Sequence, residues 1–117
     1  MIHPTAIIDK TAIIEEGVEI GPYAVIGPET IIKSGTVIHG QNTIEYAEIG
    51  HNCEIFNFSS IGKRPQDLKY QGEKTKVIVG DFTTVREFVT LNRGTAAAGQ
   101  TIIGKNCLIM ACAHVAH

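Results

Sequence analysis

The residues of this 117-residue chain that are best suited to proton-transfer chemistry lie at its end. His114 and His117 are three positions apart. An imidazole, whose unperturbed pKa is about 6.5, can accept a proton from a hydroxyl nucleophile near neutral pH. The spacing alone does not place both rings in one site. On residue type, the pair is therefore either a general-base site or two surface histidines, and the remaining histidines, His3, His39 and His51, are expected to be surface or turn residues.

Asp67 and Lys69 are the polar candidates in the middle of the chain. They belong to a charged stretch at 63–76 that interrupts an otherwise apolar pattern. Charged loops are common on protein surfaces, and loops also carry many binding residues. The stretch is therefore either a solvated loop or a binding loop that could reach a neighbouring subunit.

The cysteine count and the charge balance exclude several classes of protein. Cys53, Cys107 and Cys112 are odd in number and lack Cys-x-x-Cys spacing, so we expect neither a disulfide framework nor a structural zinc site. Ten Lys and Arg against twelve Asp and Glu give a net charge of −2, which does not favour nucleic acid or an anionic membrane. No apolar stretch approaches the roughly 18 residues of a membrane span. We expect a cytoplasmic protein with reduced thiols.

A six-residue repeat must position these candidates. Isoleucine recurs at positions 2, 8, 14, 20, 26, 32, 38 and 44, a run that chance does not explain. Four residues after each isoleucine the side chain is small or β-branched, in a series that we expect Asn42 to end: Ala6, Ala12, Val18, Ala24, Thr30 and Thr36.

The repeat continues past two irregularities. It slips by one residue and resumes with Ile49, Ile55 and Ile61, so one turn is shorter. After the polar stretch it returns in Val79, Val85, Leu91, Ile103, Ile109 and Val115, with Val89, Thr95, Cys107 and Ala113 in the small position. The repeat therefore brackets an inserted loop near 63–76.

A period of six fits neither a helix nor one amphipathic strand, whereas short strands separated by glycine-containing turns fit it well. Three units form one triangular coil of about 18 residues, and coils about 4.8 Å apart stack through parallel strand pairing. We therefore predict an all-β fold, a parallel β-helix of about six triangular coils, with the aliphatic residues in inner rows.

The repeat of [Ile/Val]-Gly-x-x-[Ala/Thr/Cys]-x resembles that of the hexapeptide acyltransferases. The resemblance implies a left-handed parallel β-helix over 1–117, assembled as a homotrimer. General rules for chain crossovers would have favoured the opposite hand.

Longer motifs look like those of one family within this group, the acyl-carrier-protein–UDP-N-acetylglucosamine O-acyltransferases of lipid A biosynthesis. They are Gln66-Asp67-Leu68-Lys69-Tyr70, Arg86-Glu87-Phe88-Val89-Thr90, Arg93-Gly94-Thr95 and Ala113-His114-Val115-Ala116-His117. The resemblance implies transfer of an acyl or hydroxyacyl chain from acyl carrier protein to the sugar 3-hydroxyl of UDP-N-acetylglucosamine. It implies no cofactor and no metal.

The resemblance also assigns roles to individual residues. His117 corresponds to the general base, and His114 to a second histidine in the sugar pocket. Asp67 is expected to contact sugar hydroxyls, and Lys69 to line the pocket for the nucleotide sugar or the acyl donor. Arg86 and Arg93 either attract the acidic carrier protein or form surface salt bridges.

The sequence departs from this family in two respects. Asn92 replaces a family histidine, and an amide can hydrogen-bond but cannot titrate. Family members also continue for several more coils and a helical C-terminal domain. We therefore expect this chain to be an N-terminal fragment that is inactive, or nearly so, on its own.

Three other functions fit parts of the pattern. The first is the N-acyltransferase acting two steps later in the pathway, although that family has an additional N-terminal domain. The second is a zinc-dependent hexapeptide carbonic anhydrase, whose histidine spacing is absent here. The third is a non-catalytic β-helix that serves as an assembly module.

Overall fold

The structure is a computed structural model that describes residues 1–96 and 99–117. Within these ranges the regular structure consists of short strands, and no helix has the length and apolar character needed to cross a membrane. In chain order the strands are β1 (Ile7–Ile8), β2 (Ile13–Ile14), β3 (Glu19–Ile20), β4 (Val25–Ile26), β5 (Ile31–Ile32), β6 (Val37–Ile38), β7 (Thr43–Ile44), β8 (Ala47–Ile49), β9 (Glu54–Ile55), β10 (Ser60–Ile61), β11 (Lys76–Val79), β12 (Thr84–Val85), β13 (Thr90–Leu91), β14 (Gln100–Ile103), β15 (Leu108–Ile109) and β16 (His114–Val115).

Every third strand belongs to the same parallel sheet, so the chain winds around a triangular prism. Face 1 has the order β1-β4-β7-β10-β13-β16, face 2 contains β2, β5, β8, β11 and β14, and face 3 contains β3, β6, β9, β12 and β15. The all-β parallel helix is therefore confirmed, with six stacked strands on face 1. The coil is left-handed, as the family resemblance implied and against the general crossover preference.

The aliphatic residues of the repeat form the inner rows, as predicted. On face 1, Ile26 pairs in register with Ile44, which pairs with Ile61 and then with Leu91, and all four are fully buried. Each buried aliphatic side chain contributes about 1.5 to 3 kcal/mol through removal of its surface from water. The rows therefore supply the main stabilisation of the prism.

Polar residues in the small position join successive coils from inside. The hydroxyl of Thr36 donates to the carbonyl oxygen of Gly50 at 2.6 Å and accepts from the amide of Cys53 at 3.0 Å. The sequence predicts that Asn42 ends this series, but in the structure Asn42 continues it. It is buried, and its amide oxygen accepts from the amide N–H of Ser59 at 2.8 Å. A polar side chain is accepted at this position because it pairs backbone groups that would otherwise be buried without partners.

Glycine serves two purposes at the corners. Gly62 has φ of +91°, and a Cβ there would lie 1.5 Å from the carbonyl oxygen of Glu45. Gly21 has an ordinary φ, but a Cβ on it would lie 2.6 Å from the amide nitrogen of Gly40 in the next coil. The predicted need for sharp bending is therefore only part of the reason, because close approach of successive coils also requires glycine.

All departures from the regular turn length lie at one corner, between faces 1 and 2, which we call the insertion corner. Its turns run over 9–12, 27–30, 45–46 and 62–75, and its last connection, from β13 to β14, includes the described residues 92–96 and 99. The predicted shorter turn is the one at 45–46. The predicted loop near 63–76 is confirmed as 62–75, since Lys76 already belongs to β11.

The long connection between β13 and β14 was not predicted. Ile103 lies twelve positions after Leu91, so the interval equals two repeats and the sequence pattern continues without a visible break. In the structure this interval crosses a single corner. Thr95, expected in the small position of the core, lies in this loop instead.

Candidate functional site

The insertion corner brings the candidate residues from both loops and the last strand into one region. Asp67 and Lys69 lie on the loop 62–75, His114 lies on β16 of face 1, and His117 follows β16 as the chain reaches the same corner. The loop 62–75 and the residues that follow β16 are distant in sequence, and they come together only because the coils stack in register.

Asp67 faces His117. Its Oδ2 lies 4.0 Å from Nε2 of His117, and the side chains are 29% and 37% exposed, respectively. This distance is longer than a hydrogen bond. In the part of the chain that the structure describes, neither ring nitrogen of His117 forms a hydrogen bond, so the imidazole is available to a ligand.

The carboxylate of Asp67 is oriented by its own turn. The backbone amide of Lys69 donates to Oδ1 at 2.9 Å, and the backbone amide of Tyr70 donates to the carbonyl oxygen of Asp67 at 3.0 Å. An Asp side chain that caps the backbone two residues on forms an Asx-turn. One carboxylate oxygen is thereby held by the loop while the other faces His117.

Lys69 lines a cavity beside this pair. The walls are formed by both corner loops and comprise Asp67, Lys69, Tyr70, Glu73, Thr95 and Ala96. Lys69 is exposed, so its ammonium group is available to an anionic ligand at the rim.

His114 lies on the outer side of face 1, next to this corner. Its Nδ1 is 2.6 Å from the hydroxyl oxygen of Thr90, the residue paired with it in the neighbouring strand. The ring is exposed, and this hydrogen bond fixes its orientation. The geometry thus brings Asp67 and His117 into direct proximity and leaves His114 on the adjoining face.

Asn92 begins the second corner loop and is buried. Its backbone amide donates to the carbonyl oxygen of Val115 at 3.0 Å. Among the described residues, its side-chain Nδ2 has no hydrogen-bond partner. The position of the missing family histidine therefore holds a hydrogen-bond donor at the insertion corner, but no titrating group.

The two arginines differ in environment. Arg86 lies at a regular corner, donates to Glu87 at 2.9 Å and stacks on Phe56, with its guanidinium carbon 4.3 Å from the ring centroid. The hydrogen bond to Glu87 raises the pKa of Arg86. Arg93 lies at the insertion corner and its side chain is only 14% exposed, so it is not the surface cation that the sequence suggested.

Sequence reasoning missed the residues that surround Arg93. They are Glu45 and Tyr46 in one coil and Tyr70 in the next, and Arg93 lies in the coil after that. The available signal was the register slip at Glu45 and Tyr46, which marks this corner as irregular.

Over residues 1–96 and 99–117, no three His, Cys, Asp or Glu side chains cluster closely enough to hold a metal ion. The groups predicted from the sequence that lie at this corner are the imidazole of His117, the carboxylate of Asp67 and the ammonium group of Lys69.

Comparison with known proteins decides the family. The family model described as "Bacterial transferase hexapeptide (six repeats)" matches residues 11–46. The acyl-[acyl-carrier-protein]–UDP-N-acetylglucosamine O-acyltransferase of Saccharophagus degradans is 47% identical over 99% of this chain and 46% of the relative. The chain belongs to the UDP-N-acetylglucosamine O-acyltransferase family. It spans about half the length of the curated relatives it matches.

Solved structures agree with this family. LpxA of Bacteroides fragilis, described as a UDP-N-acetylglucosamine acyltransferase, superposes with a TM-score of 0.98 at 44% identity, over 100% of this chain and 46% of that one. The UDP-N-acetylglucosamine O-acyltransferase of Moraxella catarrhalis gives 0.97 at 45% identity, over 99% and 46%. The left-handed coil and its insertion corner are therefore features of a chain closely similar to these acyltransferases.

Proposed function

We propose that the protein transfers an acyl or hydroxyacyl chain from the thioester of acyl carrier protein to the 3-hydroxyl of UDP-N-acetylglucosamine, the first step of lipid A biosynthesis. The observation that carries this proposal is the meeting of Asp67 and His117 at the insertion corner, 4.0 Å apart. Membership of the acyltransferase family supports it.

In this proposal His117 is the general base. A sugar hydroxyl is a poor nucleophile near neutral pH, and the unpaired imidazole accepts its proton as the oxygen attacks the thioester carbonyl. The new carbon–oxygen bond forms, the carbon–sulfur bond breaks, and the proton passes to the departing sulfur. The thioester supplies the activated acyl group, so we propose no cofactor and no metal.

The remaining candidates would bind the acceptor. Asp67 can accept hydrogen bonds from sugar hydroxyls through Oδ2, which the loop leaves unused by the backbone. Lys69 at the cavity rim can attract the diphosphate of the nucleotide sugar or the acyl donor. We assign His114, oriented by Thr90, to the sugar pocket.

We propose that the protein acts as a homotrimer. The outer side of face 2, which borders the insertion corner, carries an isoleucine on four of its five strands, with Glu48 between the second and the third: Ile13, Ile31, Ile78 and Ile102. Ile13 and Ile102 are more than half exposed. Exposed isoleucines on one face are suited to burial against a second copy, which would enclose the corner.

We also propose a cytoplasmic location. Cys53, Cys107 and Cys112 are free thiols in the structure, and Cys112 is exposed. Free exposed thiols suit a reducing compartment, which is also where a carrier protein with a thiol prosthetic group would be reduced.

Acyl transfer by the purified protein, as its gene encodes it, tests this function. UDP-N-acetylglucosamine and acyl carrier proteins loaded with a range of chain lengths are the substrates. We expect His117→Ala to lower kcat by about 10² to 10⁴-fold, the usual contribution of a general base. His51→Ala is the matched control, because His51 lies at a regular corner against Ser34. Undiminished turnover in His117→Ala would contradict the assigned base, and no transfer by the unaltered protein with any donor would contradict the function.

A further inference from the structure

Arg93 is a partly buried cation at the insertion corner that the proposed chemistry does not use. Its side chain is 14% exposed, and its guanidinium lies close to two aromatic rings. The guanidinium carbon is 4.3 Å from the ring centroid of Tyr46 and 5.6 Å from that of Tyr70. Stacking of this kind is favourable, and it restricts the rotation of both rings.

Arg93 holds the beginning of the loop 62–75. Its Nη1 donates to the carbonyl oxygen of Gly62 at 3.2 Å and to the carboxylate of Glu45 at 3.4 Å. Its backbone amide donates to the carbonyl oxygen of Lys63 at 2.9 Å. Because Gly62 also packs tightly on Glu45, the loop leaves the coil at a fixed point.

Arg93 also holds the loop beyond Asp67. Its Nε donates to the hydroxyl oxygen of Tyr70 at 3.0 Å, and that hydroxyl donates to the carbonyl oxygen of Glu73 at 2.7 Å. The backbone amide of Tyr70 donates in turn to the carbonyl oxygen of Asp67 at 3.0 Å. The guanidinium therefore donates hydrogen bonds to the loop on both sides of Asp67, at Gly62 and at Tyr70.

We propose that Arg93 is a positioning residue that holds the segment 64–70 so that Asp67 faces His117. The loop geometry is independent of the assigned reaction, whereas the consequence for substrate binding rests on the proposed function. Lysine would preserve the charge but not the planar set of donors that reaches Gly62, Glu45 and Tyr70 together. Arg93→Lys therefore separates geometry from charge.

Amide hydrogen exchange of the protein tests the loop geometry without reference to activity. In Arg93→Lys we expect exchange at the amides of Lys69 and Tyr70 to accelerate about tenfold, because both amides donate to Asp67. Arg86→Lys is the control, an arginine at a regular corner, and we expect no change there at Lys69 and Tyr70. Unchanged exchange in Arg93→Lys would overturn the proposal. Faster exchange throughout the coil, including Ile55, would also overturn it by assigning Arg93 to general stability.

Steady-state kinetics test the route through Asp67. We expect Arg93→Lys to raise KM for UDP-N-acetylglucosamine about tenfold with a smaller change in kcat, and the double variant with Asp67→Ala to be no worse than Asp67→Ala alone. Multiplying effects in the double variant would overturn this route. Absence of acyl transfer by the unaltered protein would remove the proposed function, while hydrogen exchange would still decide whether Arg93 positions the loop.

Discussion

The insertion corner and the other two corners of the prism are built from the same coil but differ in the lengths of their turns. At the two regular corners every turn between described strands contains four residues. At the insertion corner the turns 9–12 and 27–30 keep this length, but 45–46, 62–75 and the connection from β13 to β14 do not. The residues that we assign to chemistry lie at this irregular corner or on the adjoining face.

The difference follows from how a coil stack is held together. Each coil contacts mainly the coils above and below it, through strand pairing and the buried aliphatic rows. Residues added outside a corner leave these contacts unchanged, so a loop can grow there at little cost to the prism. Such a protein can therefore keep its stability in the regular corners and faces and its specificity in one set of loops.

The largest effect that we expect on stability comes from a regular row. Ile55→Ala removes a fully buried side chain from face 3 and should lower the free energy of unfolding by about 2 to 5 kcal/mol. Leu68→Ala, on the exposed part of the loop 62–75, should leave it within about 0.5 kcal/mol. Denaturant unfolding measures both. Equal losses would break the distinction between row and loop.

Gly62→Ala should be the next largest, because it tests where the loop leaves the coil. A Cβ would lie 1.5 Å from the carbonyl oxygen of Glu45 and the backbone has φ of +91°, so we expect a loss of about 3 kcal/mol. Gly72→Ala is the matched control, since Gly72 has φ of +85° with no neighbouring atom within 4 Å, and it should cost about 1 kcal/mol. Similar thermal stability of the two variants would show that the corner is not tightly packed at Gly62.

The sequence predicted the regular part of the molecule well, because a strict period is a local signal. The inner rows, the shorter turn and the loop near 63–76 all follow from the spacing of isoleucine and valine. The long connection between β13 and β14 was not predicted, because its length preserves the six-residue period. The packing of Arg93 against Glu45, Tyr46 and Tyr70 was not predicted either, because it depends on which corner each residue occupies. The proximity of Asp67 to His117 also depends on the corner that each residue occupies. That corner follows only once every third strand is assigned to the same face.

The smallest effect that we expect concerns the charges of a regular corner. The hydrogen bond from Arg86, together with a backbone hydrogen bond, lowers the pKa of Glu87 below its ordinary value of 4.5. A lowered pKa in the folded state stabilises the protein above the unfolded pKa, and this contribution is lost as the pH falls through the folded value. The stability difference between the unaltered protein and Glu87→Gln should therefore be small at neutral pH and disappear in acid. Unfolding curves from pH 7 to about pH 3 measure it. A difference that grows in acid would contradict the sign.

The central claim is that ligand binding belongs to the insertion corner, and amide hydrogen exchange with and without saturating UDP-N-acetylglucosamine tests it most directly. We predict slower exchange in the segments 64–70 and 114–117 and no change at the regular turns 33–36 and 50–53, with the effect abolished in Asp67→Ala. Protection at the regular turns, or none in 64–70, would contradict the account.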